Sequence, residues 1–207
     1  MEYLEILDQS GKKIGTADRD TVHREGYWHE TFHCWFVSRE NGIDYIYLQK
    51  RSHLKKDFPD LFDITAAGHI LAEETIQDGV REIKEELGID VPIEHLTDLG
   101  VVEDIISSNG FIDKERAHVF LYWMEGKMDS FLLQKEEVAG ISQTPFIDFF
   151  HLCFKKKEKI TLEGFDITEL GEQNFFAKEI SIKDIVPHQS SYFNRVALLI
   201  EKELKQK

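Results

Sequence analysis

The sequence has little of several features that would assign it to a specialised class. Only two of its 207 residues are cysteine, Cys34 and Cys153, and they form neither a CxxC pair nor a disulfide framework. No apolar run approaches the roughly 20 residues that a membrane span requires. The nearest, residues 146–154, is short and is interrupted by Asp148 and His151. The first residues also lack the basic and apolar regions of a secretory signal. We therefore expect a reduced, cytoplasmic protein with no membrane partner.

Positive charge is scarce as well. The chain has 25 Lys and Arg against 39 Asp and Glu, which gives a formal net charge of −14. Because nucleic-acid binding rests on cations that neutralise phosphates, this balance argues against a nucleic-acid partner. It would also repel a small phosphorylated substrate unless divalent cations intervened, and clustered carboxylates can hold such cations.

The length predicts a single domain over residues 1–207. We expect an N-terminal β-hairpin within 1–20, a core over about 28–165 and an amphipathic C-terminal helix over about 189–206. Residues 125–165 are less regular, and a helix around 146–154 followed by a solvated basic loop is expected there. Four further segments read as strands because they are rich in aromatic and β-branched residues: 30–37, 45–51, 98–104 and 116–124. Strand pairs alternating with a few helices predict an α/β or α+β sandwich.

The segment 65–89, TAAGHILAEETIQDGVREIKEELGI, concentrates acidic residues. Thr75 and Asp78 resemble a capping box, and Gly88 is a suitable helix stop. Apolar residues recur between them at spacings of four, three and four, which predicts one buried stripe: Ile76, Val80, Ile83 and Leu87.

Three glutamates share another face of this predicted helix. At about 100° per residue, Glu82, Glu85 and Glu86 fall within roughly 100° of one another. A solvated polar face is the ordinary explanation for such residues. However, like charges at i,i+4 destabilise a helix, and Glu82 and Glu86 form such a pair. The one lysine within the run, Lys84, lies on a different face. We therefore interpret the three glutamates as a metal-binding cluster.

The full spacing resembles the Nudix box, G-x5-E-x7-R-E-U-x-E-E-x-G-U, in which U is aliphatic. Every position from Glu73 to Ile89 matches, whereas the leading glycine falls on Ala67, with Gly68 just after it. This departure bears on the loop geometry, because alanine tolerates positive φ poorly. The resemblance implies a Nudix-type α/β/α sandwich with a mixed β-sheet, an N-terminal β-hairpin and a C-terminal helix.

The resemblance also implies an activity. It predicts a metal-dependent hydrolase in which water attacks phosphorus of a diphosphate linked to another moiety. The substrate would be a nucleoside diphosphate derivative or a similar small organic diphosphate. Mg²⁺ is the expected ion, with Mn²⁺ as the alternative, because Mg²⁺ prefers oxygen ligands and keeps several waters. Arg81 would orient Glu73 or a box carboxylate. The implied metal ligands are Glu73, Glu82, Glu85, Glu86 and His69.

The wider context, over roughly residues 1–125, resembles the isopentenyl diphosphate isomerase branch of the family. There a catalytic cysteine stands immediately before a Gly-His pair, and here that position is Ala67. An isomerase without this group would lack a key acid or base, so we favour a hydrolase. By the same resemblance Arg51 and Lys55 contact the diphosphate, and Gly68 belongs to the predicted substrate site.

The isomerase resemblance also points to a histidine site. His23, His29 and His69 match isomerase metal ligands, although coincidence among the nine histidines of the chain is the plain alternative. A histidine-rich set would favour Zn²⁺ or Mn²⁺ over Mg²⁺. Asp113 and Glu115 align loosely with further isomerase ligands.

The general base is left open by the sequence. The candidates outside the box are Glu115, Glu136 and Glu137, of which we rank Glu115 first. The catalytic set predicted in full is therefore Glu82, Glu85, Glu86, Arg81 and Glu115.

Two other functions compete with the hydrolase. An isopentenyl diphosphate isomerase is disfavoured by Ala67, and a non-catalytic diphosphate-binding module is disfavoured by the intact carboxylate set. The sequence does not indicate which chemical group is attached to the diphosphate. A homodimer is possible on the sequence alone. Some aromatic residues could stack a planar ring but are more often found in cores: Trp28, Trp35, Phe146 and Phe149.

Overall fold

A mixed β-sheet organises the fold. The computed structural model describes residues 2–108 and 110–207, and over these residues eleven strands join in one sheet with four α-helices. The strands are β1 (Tyr3–Leu7), β2 (Lys13–Asp18), β3 (Trp28–Glu40), β4 (Ile43–Arg51), β5 (Phe62–Asp63), β6 (Ala66–His69), β7 (Leu96–Ser108), β8 (Phe111–Trp123), β9 (Val138–Pro145), β10 (Lys159–Ile167) and β11 (Gln173–Ser181). The helices are α1 (Arg19–Glu25), α2 (Arg81–Leu87), α3 (Phe146–Cys153) and α4 (Ser190–Leu204).

Strand β3 is the centre of the sheet. The main path runs β11-β10-β9-β4-β3-β1-β2, and β6 and β8 also pair with β3. Strand β8 runs parallel to β3, whereas β1, β4 and β6 run antiparallel to it, so the predicted mixed sheet is confirmed. The predicted N-terminal hairpin is present as the antiparallel pair of β1 and β2.

The two faces of β3 bury two different cores. Successive side chains of a strand point to opposite faces. Trp35 and Val37 join the core under α3 and α4, while Phe32 and Phe36 join a second core that includes Ile83 of α2. Helices therefore cover both faces of the sheet, and the predicted α/β/α sandwich is confirmed. That residues 1–207 form one domain stays a prediction.

The acidic segment is helical, but its first turn is tighter than predicted. Residues Ile76–Val80 form a 3-10 turn, and the α-helix begins at Arg81. Gly79 explains the close packing of this turn, because a Cβ there would lie 2.7 Å from atoms of both Phe32 and Ile70. The predicted capping box is present, with the Thr75 amide donating to Asp78 Oδ2 at 2.8 Å. Ile83 and Leu87 are fully buried, whereas Ile76 and Val80 are only partly buried.

The C-terminal third contains more strand than the sequence predicted. The helix expected around 146–154 is α3, and the helix expected over 189–206 is α4. Strands β9 to β11, however, extend the sheet in a region for which no strand was predicted. Within the described residues, no helix combines the length and apolarity that a membrane crossing requires.

Candidate active site

One cavity of about 790 Å³ gathers most of the predicted site residues. Helix α2 supplies an acidic wall, the loop after β4 supplies a basic wall, and the ends of β6 and β8 supply histidine and further carboxylates. Of the predicted residues outside these walls, Glu136 and Glu137 also line the cavity. The predicted site residues that line it are Glu82, Glu85, Glu86, Arg81, Arg51, Lys55, Gly68, His69 and Glu115.

Glu86 is the buried member of the acidic wall, and the Glu82 side chain is 13% exposed. The Glu86 residue is 5% exposed, and its Oε2 lies 3.2 Å from the Ala67 amide and 3.3 Å from Gln49 Nε2. Burial, followed by repulsion from Glu82, raises the pKa of Glu86 to about 8. Burial also raises the pKa of Glu82 to about 7, although Arg81 opposes this shift. A cation bound between these two carboxyls would favour their ionised forms.

The loop before the helix fits closely around Glu82. A Cβ on Gly68 would lie 2.1 Å from the Glu82 carboxyl group, so any larger residue would displace this carboxyl from its place in the cavity. Ala67 lies within strand β6, opposite His33 of β3, and is not among the residues with positive φ. The alanine at the box glycine position therefore causes no backbone strain.

Arg81 contacts two box carboxylates, as one of its two predicted alternatives has it, but it pairs with Glu74 rather than with Glu73. Its Nε and Nη2 donate to the two carboxylate oxygens of Glu74 at 2.6 and 3.0 Å, and Nη2 also donates to the His69 carbonyl at 3.1 Å. Hydrogen bonds from Arg81 lower the pKa of Glu74. Glu73 is exposed and does not line the cavity, so the structure does not bring it to the other predicted ligands.

Glu85 is less enclosed than its two neighbours. Its side chain is 59% exposed and accepts a hydrogen bond from Arg81 Nη1 at 3.1 Å. The same Arg81 nitrogen also contacts Glu82. Arg81 thus holds the outer carboxylates of the helix in place, while Glu86 lies deeper.

The cations of the basic wall are already engaged by carboxylates or carbonyls. Arg51 donates to Asp63 at 2.9 Å and to the Asp57 carbonyl at 2.9 and 3.2 Å. Lys55 forms an ion pair with Glu137 across the cavity. Arg19 of α1, which was not predicted, donates to the Asp57 carboxylate at 2.9 Å and also lines the cavity.

The three predicted histidines do come together. The rings of His23, His29 and His69 lie 5.2–5.3 Å apart, and each offers a nitrogen within 4.8 Å of the others. Among the residues that the structure describes, the buried Nε2 atoms of His23 and His29 have no hydrogen-bond partner. Both lie 3.4–3.5 Å from Oδ1 of Asp113, which has no partner among these residues either. Orphaned buried donors and acceptors are rare and require an explanation. A metal ion bound to these atoms would supply one.

Protonation states also suit a cation at this cluster. Burial, followed by the neighbouring His29, lowers the pKa of His69 well below its usual value, which keeps its imidazole neutral. Burial opposes ionisation of Asp113, but the adjoining imidazoles outweigh it and lower the pKa of Asp113 to about 2. His29, Asp113 and Glu115 form a second overlapping group with ligand atoms within 4.8 Å of one another.

Several buried residues at the site were not predicted. His33 of β3 contacts Glu115 with an Nε2–Oε2 distance of 3.2 Å and approaches Tyr192 of α4 with its Nδ1 2.7 Å from the hydroxyl. His188 bridges Asp104 at 2.6 Å and Asp63 at 2.9 Å. Sequence patterns did not reveal them, because these contacts join residues far apart in the chain.

Comparisons with known proteins agree with this geometry. The model of the NUDIX domain family matches residues 28–163. This chain belongs to the Nudix hydrolase family. An uncharacterised Nudix hydrolase of Clostridium acetobutylicum is 37% identical to it, over 94% of this chain and 95% of that protein. As a Nudix hydrolase, the protein is an enzyme that acts on diphosphate-containing compounds.

Other relatives place this Nudix hydrolase near the isomerases. Isopentenyl-diphosphate Delta-isomerase of Saccharopolyspora erythraea is 30% identical, over 72% of this chain and 75% of its own. Nudix hydrolase 3 of Arabidopsis thaliana is 33% identical over 75% of this chain, which covers only 21% of the plant protein. Among solved structures, a Deinococcus radiodurans protein matches the fold with a TM-score of 0.55 and 17% identity, over 75% of this chain and 88% of its own.

The isomerase cysteine has no substitute at its position in this Nudix hydrolase. Cys34 pairs with Ala66 across the sheet, but its side chain is fully buried in the core under α2. Burial raises the pKa of the Cys34 thiol well above its usual value. His33, rather than a thiol, is the cross-strand neighbour of Ala67.

Proposed function

We propose that this Nudix hydrolase is a divalent-metal-dependent diphosphatase in which water attacks phosphorus of a diphosphate linked to another moiety. Mg²⁺ is the proposed ion at the acidic wall, and Mn²⁺ is the alternative. The proposed substrate is a small organic diphosphate, such as a nucleoside diphosphate derivative. The observation that carries the proposal is that the buried Glu86 and the largely enclosed Glu82 lie in the same cavity as Arg51 and Lys55.

The acidic wall fits a hard cation. Mg²⁺ is usually held by one or two carboxylates, substrate phosphate oxygens and water, and Glu82 and Glu86 offer such carboxylates. Their raised pKa values support the fit, because a bound cation would favour the ionised forms. Such an ion can lower the pKa of a bound water and stabilise a leaving oxygen. Arg81, braced by Glu74, keeps the outer carboxylates oriented.

The histidine cluster is proposed as a second metal site. His23, His29 and His69 offer imidazole nitrogen ligands, and Asp113 offers a carboxylate oxygen. Such a mixed set suits Mn²⁺ or Zn²⁺ better than Mg²⁺. This second site shares no ligand residue with the acidic wall, but it borders the same cavity through His69 and Asp113.

The basic wall is proposed to bind the diphosphate. Arg51 can form two parallel hydrogen bonds to a phosphate, and Lys55 can act as a point charge. Arg19 adds a third cation on the same side. Since Lys55 is paired with Glu137, substrate binding would exchange this carboxylate for a phosphate. Glu115 is the proposed general base, because it is buried at the cavity wall, contacts His33 and lies beside the histidine cluster.

A panel of diphosphate compounds tests the proposal. Release of phosphate and pyrophosphate would be measured with Mg²⁺, with Mn²⁺ and with EDTA, for the wild type and for Glu86→Gln. We expect metal-dependent turnover of at least one compound and its loss in the variant. Turnover that persists in EDTA would contradict the proposed metal dependence.

Isomerisation of isopentenyl diphosphate is the second candidate, because isomerases are among the relatives at 30% identity. Ala67 argues against it, since no thiol lies at that position. Product analysis on isopentenyl diphosphate separates the two activities. An isomerase would form dimethylallyl diphosphate without releasing phosphate, whereas the proposed hydrolase would not form it.

A cytoplasmic location is also part of the proposal. Cys34 and Cys153 are free thiols, and both are buried. Unpaired cysteines are usual in proteins of reducing compartments. Fractionation of cells that express the protein would test the location.

A further inference from the structure

The C-terminal helix reaches the active site through a chain of buried polar contacts. Tyr192 lies in the third position of α4, and its hydroxyl lies 2.7 Å from Nδ1 of His33. On the other side of the ring, Nε2 of His33 lies 3.2 Å from Oε2 of Glu115. Tyr192 is fully buried, and His33 is 2% exposed. Three residues from α4, β3 and β8 thus form one line that ends at the cavity.

We propose that Tyr192 is a positioning residue, which acts through His33 to hold the Glu115 carboxylate in its catalytic orientation. This inference rests on the proposed function, in that it takes Glu115 as the general base. It adds Tyr192 and His33 to the machinery of the reaction. We call this line of Tyr192, His33 and Glu115 the tyrosine relay.

The direction of the hydrogen bonds follows from the groups at the two ends. A neutral imidazole has one N–H donor and one acceptor nitrogen. Nε2 of His33 lies 3.2 Å from a carboxylate oxygen of Glu115 and 3.3 Å from the Thr31 hydroxyl. The carboxylate oxygen only accepts, and the hydroxyl can accept as well, so a proton on Nε2 is the favourable tautomer. Nδ1 is then an acceptor, and the Tyr192 hydroxyl must donate to it. Burial raises the pKa of Tyr192 well above its usual value, so this hydroxyl keeps its proton. Tyr192 therefore favours the tautomer whose N–H faces Glu115 and Thr31.

Packing alone does not explain why residue 192 is tyrosine rather than phenylalanine. Its ring lies in the core under α3 and α4, among residues such as Trp35, Phe149 and Phe193. A phenylalanine would fill that volume without burying a hydroxyl, and an unpaired buried hydroxyl is costly. His33 is the partner to which the Tyr192 hydroxyl is hydrogen-bonded in the described structure. The hydroxyl is thus explained by its contact with His33.

The start of α4 is fixed so that the tyrosine relay has a defined geometry. His188 is held by Asp104 and Asp63, and the Gln189 amide donates to Asp104 Oδ1 at 2.9 Å. The His188 ring stacks on Tyr192 with centroids 5.1 Å apart and an interplanar angle of 28°. These contacts attach the residues before α4 to β5 and β7. A second layer of this kind usually orients groups that act directly.

Tyr192→Phe tests the relay, and the chain offers a matched control. Tyr47 is 1% exposed, and its hydroxyl donates to Ser38 at 3.1 Å in the other core. Tyr47→Phe therefore removes the same atom from an equally buried position away from the relay. We expect Tyr192→Phe to lower kcat by about 10- to 100-fold with KM unchanged, and Tyr47→Phe to leave kcat unchanged. If Tyr192 acts through His33, adding Tyr192→Phe to His33→Gln should lower kcat no further than His33→Gln alone.

A second readout needs no substrate. The ring ¹⁵N chemical shifts of His33 in the metal-free protein should show the proton on Nε2 in the wild type and a mixture of tautomers in Tyr192→Phe. A proton on Nδ1 in the wild type, or shifts that Tyr192→Phe leaves unchanged, would overturn the relay. Equal kcat for the wild type and Tyr192→Phe would also overturn it. If the diphosphate panel yields no turnover, the proposed function fails, and the ring shifts still decide whether the relay exists.

Discussion

The buried carboxyl of Glu86 should destabilise the metal-free protein, and replacing it with glutamine should relieve this cost. Glutamine keeps the shape and one acceptor oxygen, which can still receive the hydrogen bonds from the Ala67 amide and Gln49. The substitution removes only the charge. We therefore expect Glu86→Gln to be more stable than the wild type in EDTA at neutral pH, even though it loses activity.

The size of the effect follows from the pKa. Burial and Glu82 raise the pKa of Glu86 from 4.5 to about 8, so the folded state holds its proton more tightly than the unfolded state. The cost is absent below pH 4.5, grows as the pH rises and is complete above pH 8. One pKa unit corresponds to about 1.4 kcal/mol, so the cost at pH 7 is about 3 kcal/mol. Between pH 6 and pH 8 it grows by about 2 kcal/mol.

Urea denaturation in EDTA at pH 6, 7 and 8 measures this cost. The wild type should lose stability relative to Glu86→Gln as the pH rises, and the gap should widen toward pH 8. Glu85→Gln is the matched control, because Glu85 lies on the same helix but is 59% exposed, and it should follow the wild type. A gap that is constant with pH, or a variant less stable than the wild type at pH 8, would refute the reasoning.

Three further substitutions test other parts of the site. Gly68→Ala should lower kcat at least tenfold in steady-state kinetics, because its Cβ would displace the Glu82 carboxyl. Gly15→Ala is the control and should leave kcat unchanged, because the nearest atoms to its Cβ would lie at 3.5 Å. His188→Gln should cost about 3–5 kcal/mol of unfolding free energy at pH 7. Burial opposes the charged form of His188, but Asp104 and Asp63 outweigh burial and raise the pKa of His188 to about 10. The stability that His188 contributes is therefore fully present below pH 6.5. It should be lost in denaturation curves as the pH rises through 10. Glu74→Gln should lower kcat more than Glu73→Gln, and equal effects in the same assay would contradict the assignment of Glu74 as the partner of Arg81.

The parts of the fold that could be predicted are those with strong local signals. The box helix was encoded by its apolar stripe and its capping box, both of which involve residues close in sequence. The strands from 138 to 181 were missed, because their burial depends on pairing with one another and with β4 rather than on a clear local pattern. The tight first turn at Ile76–Val80 arises from close packing of Gly79 on β3, which a periodicity does not reveal.

The site residues that could be predicted from the sequence are likewise those with a local signal. The spacing of the motif identified the glutamates of α2, and the structure brings Glu82 and Glu86 together as expected. The motif could not distinguish Glu73 from its neighbour Glu74, because the turn before the helix decides which side chain reaches Arg81. His33 and Tyr192 were missed because 159 residues separate them, and only the packing of α4 on the sheet joins them.

The most direct test of the central claim is hydrolysis in ¹⁸O-labelled water of the diphosphate compound that is turned over fastest. The account predicts that, with Mg²⁺ or Mn²⁺, one labelled oxygen enters a phosphate-containing product, and that neither EDTA-treated enzyme nor Glu86→Gln incorporates label. Label in the organic alcohol instead would contradict attack on phosphorus. No turnover of any compound by folded, metal-loaded protein would contradict the assignment of this cavity as a diphosphatase site.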